Sequence, residues 1–406
     1  MDPLAREAAR ALSVFDPIAA LKRVALRDDA PALALRGIAM AQLGEYAIAR
    51  KLLRRAARAF GEADPRSSAR CVAAEAEIAL VCRDLEAAGR GLEEAASALE
   101  AQGDRSNALF VRLQLVRRLV LLGRVDDART ALAALPLEEA PAILASLAEL
   151  LAVDIAVRSL RPAAARRALA RARVAAVETG VGSLMAEVDR AAQQLDQPVA
   201  RLVGPEGPVP VGLDQVKSLV GSGDLLVDAC RREVRSGPDV RTLVSRPVLF
   251  ALAATLAEAA PGEATREILV ARAFGARTAS DSLRARLRVE VGRLRRALSG
   301  LAEVRATPGG FVLVPAGPRR ALLLLPPAPG EASALVALLG AGEAWSTSAL
   351  AEAVGMSQRS VQRALTTLLD EGRVQAIGRG RSRRWTAPEA AGFATTLLLA
   401  RTHGLG

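Results

Sequence analysis

The chain has 406 residues, 51% of them hydrophobic and 24% charged, with a formal net charge of +11, enough length for two to three domains. A single histidine (His403) and three cysteines (Cys71, Cys82, Cys230) exclude a nitrogen-and-sulfur metal centre at familiar spacing and a disulfide scaffold, and leave a histidine-dependent catalytic triad only that one residue near the end. No stretch of about eighteen residues lacks a charge and MDPLAREAARALSVFD lacks an apolar signal core, so the expectation is a reduced, cytoplasmic protein with no membrane partner and no cofactor.

The charge is uneven. Residues 1–200 carry 28 basic and 26 acidic side chains, and residues 201–406 carry 27 and 18. A neutral half joined to a basic half points to separate tasks and a polyanionic partner for the second. An arginine-rich composition used for solubility would also raise the charge, so local pattern must decide.

Residues 1–200 read as helix almost throughout, with Ala, Leu, Arg and Glu at 3.6-residue periodicity. They also repeat. LGEYAIA (43–49), CRDLEAA (82–88), LGRVDDA (122–128) and LRPAAAR (160–166) each follow one apolar helical run and precede another. The fourth place is apolar every time (Tyr46, Leu85, Val125, Ala163), and the seventh is Ala in three of the four, small enough for two helices to approach. Breaks are expected at Gly61/Pro65, Gly103, Pro136/Pro141 and Gly180/Gly182. These helical hairpins resemble tetratricopeptide repeats, most clearly over 33–60, where Gly37, Gly44, Tyr46, Ala49, Leu53 and Ala56 fall near that family's small and bulky positions. The resemblance implies a concave surface for a peptide, a protein or a second copy of the chain; a plain helical bundle used as spacer or dimerisation scaffold is the other reading.

RLVGPEGPVPVG (201–212) reads as a boundary or a strand pair, placing a connecting segment at 201–223. LLVDACRREVRSGPDVRTLV (225–244) alternates and turns at Ser236–Asp239, which predicts a two-strand hairpin. Then come an apolar helix from Pro247, a short helix capped by Thr265, a third helix over 282–298, and two strands about a Pro-Gly-Gly turn (304–314). This order over 224–318 resembles the OmpR-like winged helix-turn-helix effector domain of response regulators. The VEVGRLRRAL ending of the third helix and the Gly-Gly-Phe of the wing carry the likeness. No receiver domain precedes it, which puts phosphorylation control in doubt.

On the third helix, Leu283, Leu287, Val291, Leu294 and Leu298 form one apolar stripe. Opposite lie Ala285, Val289 and Gly292 with Arg296 beside them. Arg284, Arg288 and Arg295 flank one shoulder, and Arg286 and Arg293 the other. A narrow face rimmed by arginines suits a major groove with phosphates on both sides, and Arg305 of the wing suits the adjoining minor groove.

ALLLLPPAPG (321–330) reads as a final strand and then a linker (319–330). Within 331–386, a first helix, a second capped by Ser346 or Thr347, and a third over 357–372 precede basic strands. Ala351, Gly355 and Val361 have the A-x3-G-x5-V spacing of a helix-turn-helix, and the segment resembles the winged helices of many bacterial transcription regulators. Ser357 caps the third helix; Gln358, Arg359, Gln362 and Arg363 lie on its first exposed turns, where Gln suits adenine and Arg suits guanine. Arg379, Arg381, Arg383 and Arg384 make the wing basic. Gly378 and Gly380 are not taken for a nucleotide loop, since no strand-to-helix unit follows. Trp385 reads as packing under the wing, and 387–406 as a tail.

The expectation is therefore a mainly α protein with small β wings: a tetratricopeptide-like repeat followed by two winged helices. It would be a transcription regulator binding double-stranded DNA, with a protein or peptide partner, or a homodimer, on its helical half. The alternative is an interaction scaffold that holds protein partners through the same modules. No Walker loop, G-x-S-x-G or metal cluster points to an enzyme.

Overall fold

The computed structural model describes residues 2–386 except 14–15, 83, 205, 277–279, 328–330, 341–344, 355, 372 and 378–382. The tail with His403, and Gly355, Gly378, Arg379, Gly380 and Arg381, lie outside the described residues. The chain is mainly helical, with a few small sheets, and no helix among the described residues is long and apolar enough to cross a membrane. The described residues form two compact units: 2–159 with 163–192, and 160–162 with 193–386.

The first unit is built from α1 (Pro3–Ser13), α2 (Pro17–Val24), α3 (Ala30–Gln42), α4 (Tyr46–Phe60), α5 (Pro65–Val81), α6 (Leu85–Ala101), α7 (Arg105–Leu121), α8 (Val125–Ala133), α9 (Ala142–Arg158), α10 (Pro162–Thr179) and α11 (Gly182–Asp196). Aspartate followed by proline starts three of them. Asp16, Asp29 and Asp64 accept hydrogen bonds from the amides of Ala19, Ala32 and Ser67 at 2.8, 3.1 and 3.0 Å, with Pro17, Pro31 and Pro65 in the first turn, where a missing N–H costs nothing. The expected breaks all fall between helices. Gly44 and Gly123 terminate α3 and α7 with φ of 80° and 73°, a left-handed step that glycine takes without strain. Ala49, Ala88 and Ala128, the seventh places of three repeated segments, are fully buried. Tyr46 at the fourth place is 37% exposed. Side chains from every helix except α4's outer turns converge on one continuous apolar core. Close approach is enforced at Gly37, where a Cβ would lie 2.8 Å from Leu53 Cγ, and at Gly89, where it would strike the Arg118 guanidinium. That arginine donates from Nε to the Leu85 carbonyl at 2.6 Å. Successive hairpins are also tied by charge: Arg70 donates to Asp104 at 2.6 Å and Arg50 to Asp84 at 3.1 Å.

The second unit starts with β1 (Ala200–Gly204), β2 (Gly207–Val211), α12 (Leu213–Gly221), β3 (Leu225–Asp228), β4 (Glu233–Ser236) and β5 (Asp239–Thr242). It continues through α13 (Pro247–Ala259), β6 (Ala264–Thr265), α14 (Arg266–Phe274), α15 (Asp281–Ala297), β7 (Ala302–Ala306), β8 (Gly310–Pro315) and β9 (Ala321–Leu325). Last come α16 (Glu331–Gly340), α17 (Thr347–Val354), α18 (Gln358–Asp370), β10 (Gln375–Ile377) and β11 (Arg384–Thr386). A six-stranded sheet runs β2-β1-β9-β3-β4-β5, with β3 and β9 parallel and the other pairs antiparallel. Strand alternation gives it two apolar faces. Leu225, Val227, Val234 and Leu323 join the core beneath α13, α14 and α15, while Leu226 and Leu324 pack with Val211 and Val216 on the α12 side.

Two expectations change here. The alternating run after Leu225 is two strands, because Asp228 Oδ1 accepts from the amides of Cys230 (2.7 Å) and Arg231 (3.1 Å) and turns the chain. Arg232 completes that turn at φ 52°. The sheet also reaches past both ends of 224–318: the strand pair read at 201–212 is β1 and β2, the final strand read from 321 is β9, and with α12 packed on them they belong to this one sheet rather than to a connection and a linker. The pairing of β1 with β9 joins residues more than a hundred positions apart, which no local pattern encodes.

Helices α16, α17 and α18 enclose a separate apolar cluster centred on Leu339, Leu350, Val361, Leu365 and Trp385, against which Val244, from the connection before α13, also packs.

Candidate nucleic-acid interface

Helix α15 is capped by Ser280, whose Oγ accepts from the Leu283 amide at 3.3 Å, and starts at Asp281, one residue before the start read from the sequence. Leu287, Val291, Leu294 and Leu298 are buried, with Leu283 packed beside them. The opposite face is open: Ala285 and Val289 are exposed, and Gly292, one turn beyond Val289, is half-buried. All six arginines of the helix are exposed. The two shoulders meet different neighbours.

On the shoulder toward β7 and β8, Arg284 lies 3.8 Å from Glu267 and 3.5 Å from Asp281. Arg284 and Arg288 border a groove of 410 Å³ closed by Arg266, Pro308, Gly309 and Phe311. Further along, Arg295 donates from Nε to the Val304 carbonyl at 2.7 Å, fastening the helix to β7. Arg305 on β7 pairs with Glu303 at 2.8 Å. Arg295 and Arg305 share a second hollow.

On the other shoulder, Arg286 stacks 4.6 Å from the centroid of Phe274. Arg293 donates to the nearly buried Glu290 at 2.8 Å. Arg293, Arg296 and Arg246 line a 590 Å³ hollow at the start of α13. Among the described residues Arg288 and Arg296 have no ion-pair or hydrogen-bond partner, so their full charge faces solvent.

Arg266 and Arg246 were not singled out in the sequence. Arg266 donates to the carbonyls of Pro308 (2.7 Å) and Thr307 (3.0 Å) and lies 5.7 Å from the Phe311 ring centroid. It pins the β7–β8 turn to the first residue of α14. An arginine directly after the Thr265 cap gave no sign of this, since its partners are backbone oxygens about forty residues away. Thr265 itself accepts from the Ile268 amide at 3.3 Å, as expected of a cap. A third arginine, Arg232, is half-buried with its guanidinium 5.1 Å from the Phe250 ring centroid, and this partial burial lowers its pKa to about 10. Burial likewise pushes the Cys230 thiol up to about 12, leaving it protonated at neutral pH.

The second basic surface centres on α18. Ser357 Oγ accepts from the Ser360 amide at 3.1 Å, and Ala351 and Val361 are buried where α17 and α18 cross. Ser357, Gln358, Arg359 and Arg363 are exposed, and Gln362 is half-buried. Trp385 is fully buried; its Nε1 donates to Thr347 Oγ1 at 2.9 Å, and that hydroxyl faces Gln362 Oε1 at 3.4 Å. The Gln362 carbonyl oxygen is thus engaged by the Thr347 hydroxyl. Arg383 lies 4.3 Å over the Trp385 ring, and Arg384 is exposed on β11. Ser346, and not Thr347, caps α17, accepting from the Ala349 amide at 3.1 Å.

No group of three or more His, Cys, Asp or Glu able to hold a metal ion occurs among the described residues. No protein-family model, curated protein or solved structure matches the chain.

Proposed function

We propose that the protein is a transcription regulator that binds duplex DNA through two winged helix-turn-helix modules. In this reading α13, α14 and α15 with β7 and β8 form an OmpR-like module, and α16, α17 and α18 with β10 and β11 form the second. The observation that carries it is the solvent face of α15: small and apolar residues along its centre, six exposed arginines around it, and two acids, Asp281 at its first residue and the nearly buried Glu290. B-DNA offers phosphates on both rims of a groove wide enough for one helix. Arg284, Arg286, Arg288, Arg293 and Arg296 reach those rims, Arg305 extends the contact along β7, and Arg295 holds the helix at its angle. On α18, Gln358, Arg359, Gln362 and Arg363 approach base edges while Arg383 and Arg384 meet the backbone. Two modules on one chain lengthen the footprint and raise affinity through effective concentration.

The tetratricopeptide-like half is read as the surface that takes a peptide, a protein or a second copy of the chain. Val174 and Val177, each 62% exposed on α10, support that role.

The test is binding of the full chain to a pool of randomised duplexes, followed at rising salt. Affinity falling steeply with log salt supports the reading, and no salt-sensitive affinity for any duplex refutes it.

A further inference from the structure

We infer that Val289 is a specificity contact that reads the C5-methyl group of thymine in the major groove; this deepens the DNA-binding reading above and rests on it.

Val289 is 56% exposed at the middle of α15. Along the same line lie Ala285 four residues before it, Gly292 three after and Arg296 seven after, the spacing of one helix face. Ahead of Arg296, Val289 is therefore the bulkiest side chain on that line, and it is apolar. A β-branched residue in the open is a poor helix former and gains nothing from water. Gly292 points the same way. A glycine inside a helix costs about 1 kcal/mol relative to alanine, yet a Cβ there would meet nothing within 4 Å. The protein's own packing does not require either residue, so a surface brought from outside accounts for them better than the fold does.

The rim says what that surface carries. Arg284 and Arg288 stand on one shoulder, Arg286 and Arg293 on the other, and Arg288 and Arg296 have no partner among the described residues. A matching surface has negative charge on two parallel edges and an apolar point between them. The B-DNA major groove is about 12 Å wide, close to the diameter of a helix with its side chains. It carries phosphates along both edges, and on its floor the only apolar group of any base is the thymine methyl. Small side chains at 285 and 292 let the helix settle until the Val289 methyls touch it. Duplex RNA fits neither requirement, having a narrow deep major groove and uracil without the methyl.

The experiment uses the full chain and a duplex selected from a random pool, made once with thymine and once with every thymine replaced by deoxyuracil. The two duplexes differ only in methyl groups. Wild type is expected to bind the thymine duplex about fourfold more tightly for each methyl buried. V289A should bind both alike, and V289I should keep the preference. Because Val289 is exposed and alanine is the better helix former, V289A should unfold at or slightly above the wild-type temperature and keep the wild-type salt dependence. Equal affinity of wild type for the two duplexes, or a V289A ratio equal to that of wild type, overturns the inference and leaves DNA binding standing. Failure to bind any duplex overturns both.

Discussion

Removing the two partnerless guanidinium groups of α15 tests the charge argument most directly. Arg288 and Arg296 are exposed, and no bond within the described structure is lost when both become glutamine. The double variant R288Q/R296Q should therefore unfold within about 0.5 kcal/mol of wild type. Each phosphate contact contributes about 0.9 to the slope of log affinity against log salt, so the slope should flatten by about 1.8. Between about 50 and 200 mM salt, a fourfold range, that difference amounts to about a 12-fold smaller loss of affinity. Fluorescence anisotropy of a labelled duplex, titrated with each protein at several salt concentrations, measures both slopes. R295Q serves as a contrast, since it also removes the bond to the Val304 carbonyl and should cost about 1 kcal/mol of stability. Superimposable salt slopes for wild type and the folded double variant would refute the assignment of these two arginines to phosphates.

Other outcomes concern the scaffold. Gly310 faces Thr265 across β6 and β8, and a Cβ there would run into the Ala264 carbonyl; G310A should lose about 1–3 kcal/mol in denaturant unfolding, and unchanged stability would contradict the close approach. Removing the buried Trp385 ring in W385A should cost about 3–5 kcal/mol, whereas W385F keeps part of the ring and should cost less, about 1–3 kcal/mol for the lost bond to Thr347 and the unfilled indole volume; equal costs would mean the ring is not core. In the helical half, burial opposes ionisation of Asp104, but the Asn107 amide and the Arg70 guanidinium outweigh it and hold its carboxyl below the usual carboxylate range. Its contribution is present above the unfolded carboxylate pKa of about 4 and is lost as pH falls through the lower folded value. Acid titration by circular dichroism should show a shallower stability loss for D104N than for wild type, and identical slopes would count against the coupling.

Local chemistry was the legible part of this chain. Helix ends were readable because Gly61, Gly103, Thr265, Ser346 and Ser357 satisfy backbone groups within a few residues of themselves. The two faces of α15 were readable because 3.6-residue periodicity places each side chain on a known bearing. The break at Asp228 was not, since an aspartate that turns the chain and one that ends a half-buried strand look alike in an alternating pattern. The roles of Arg266 and Arg295 were hidden for another reason. Both donate to backbone carbonyls of the β7–β8 hairpin, and carbonyls are the same in every sequence; only the fold says which one is near. Of the sixteen positions expected to touch DNA, Arg379 and Arg381 fall outside the described residues, Arg295 is held by a backbone carbonyl, and Arg284, Arg293 and Arg305 already pair with acids of the protein.

The parallel pairing of β3 with β9 has a consequence for how the second unit assembles. Asp224 accepts from the Arg320 amide at 3.0 Å and from its guanidinium at 2.8 Å, closing a loop across 96 positions. Bringing such distant residues together costs about 4 kcal/mol in chain entropy before any sheet contact offsets it. The β3-β4-β5 meander, with neighbours two to four residues apart, closes at a much lower entropic cost than β9, whose docking becomes less costly once α13, α14, α15 and the β7–β8 hairpin have collapsed between the two strands. The strand order therefore favours folding that starts in the meander and adds β9 late. A substitution in β9 should mainly speed unfolding, and one in the meander should slow folding.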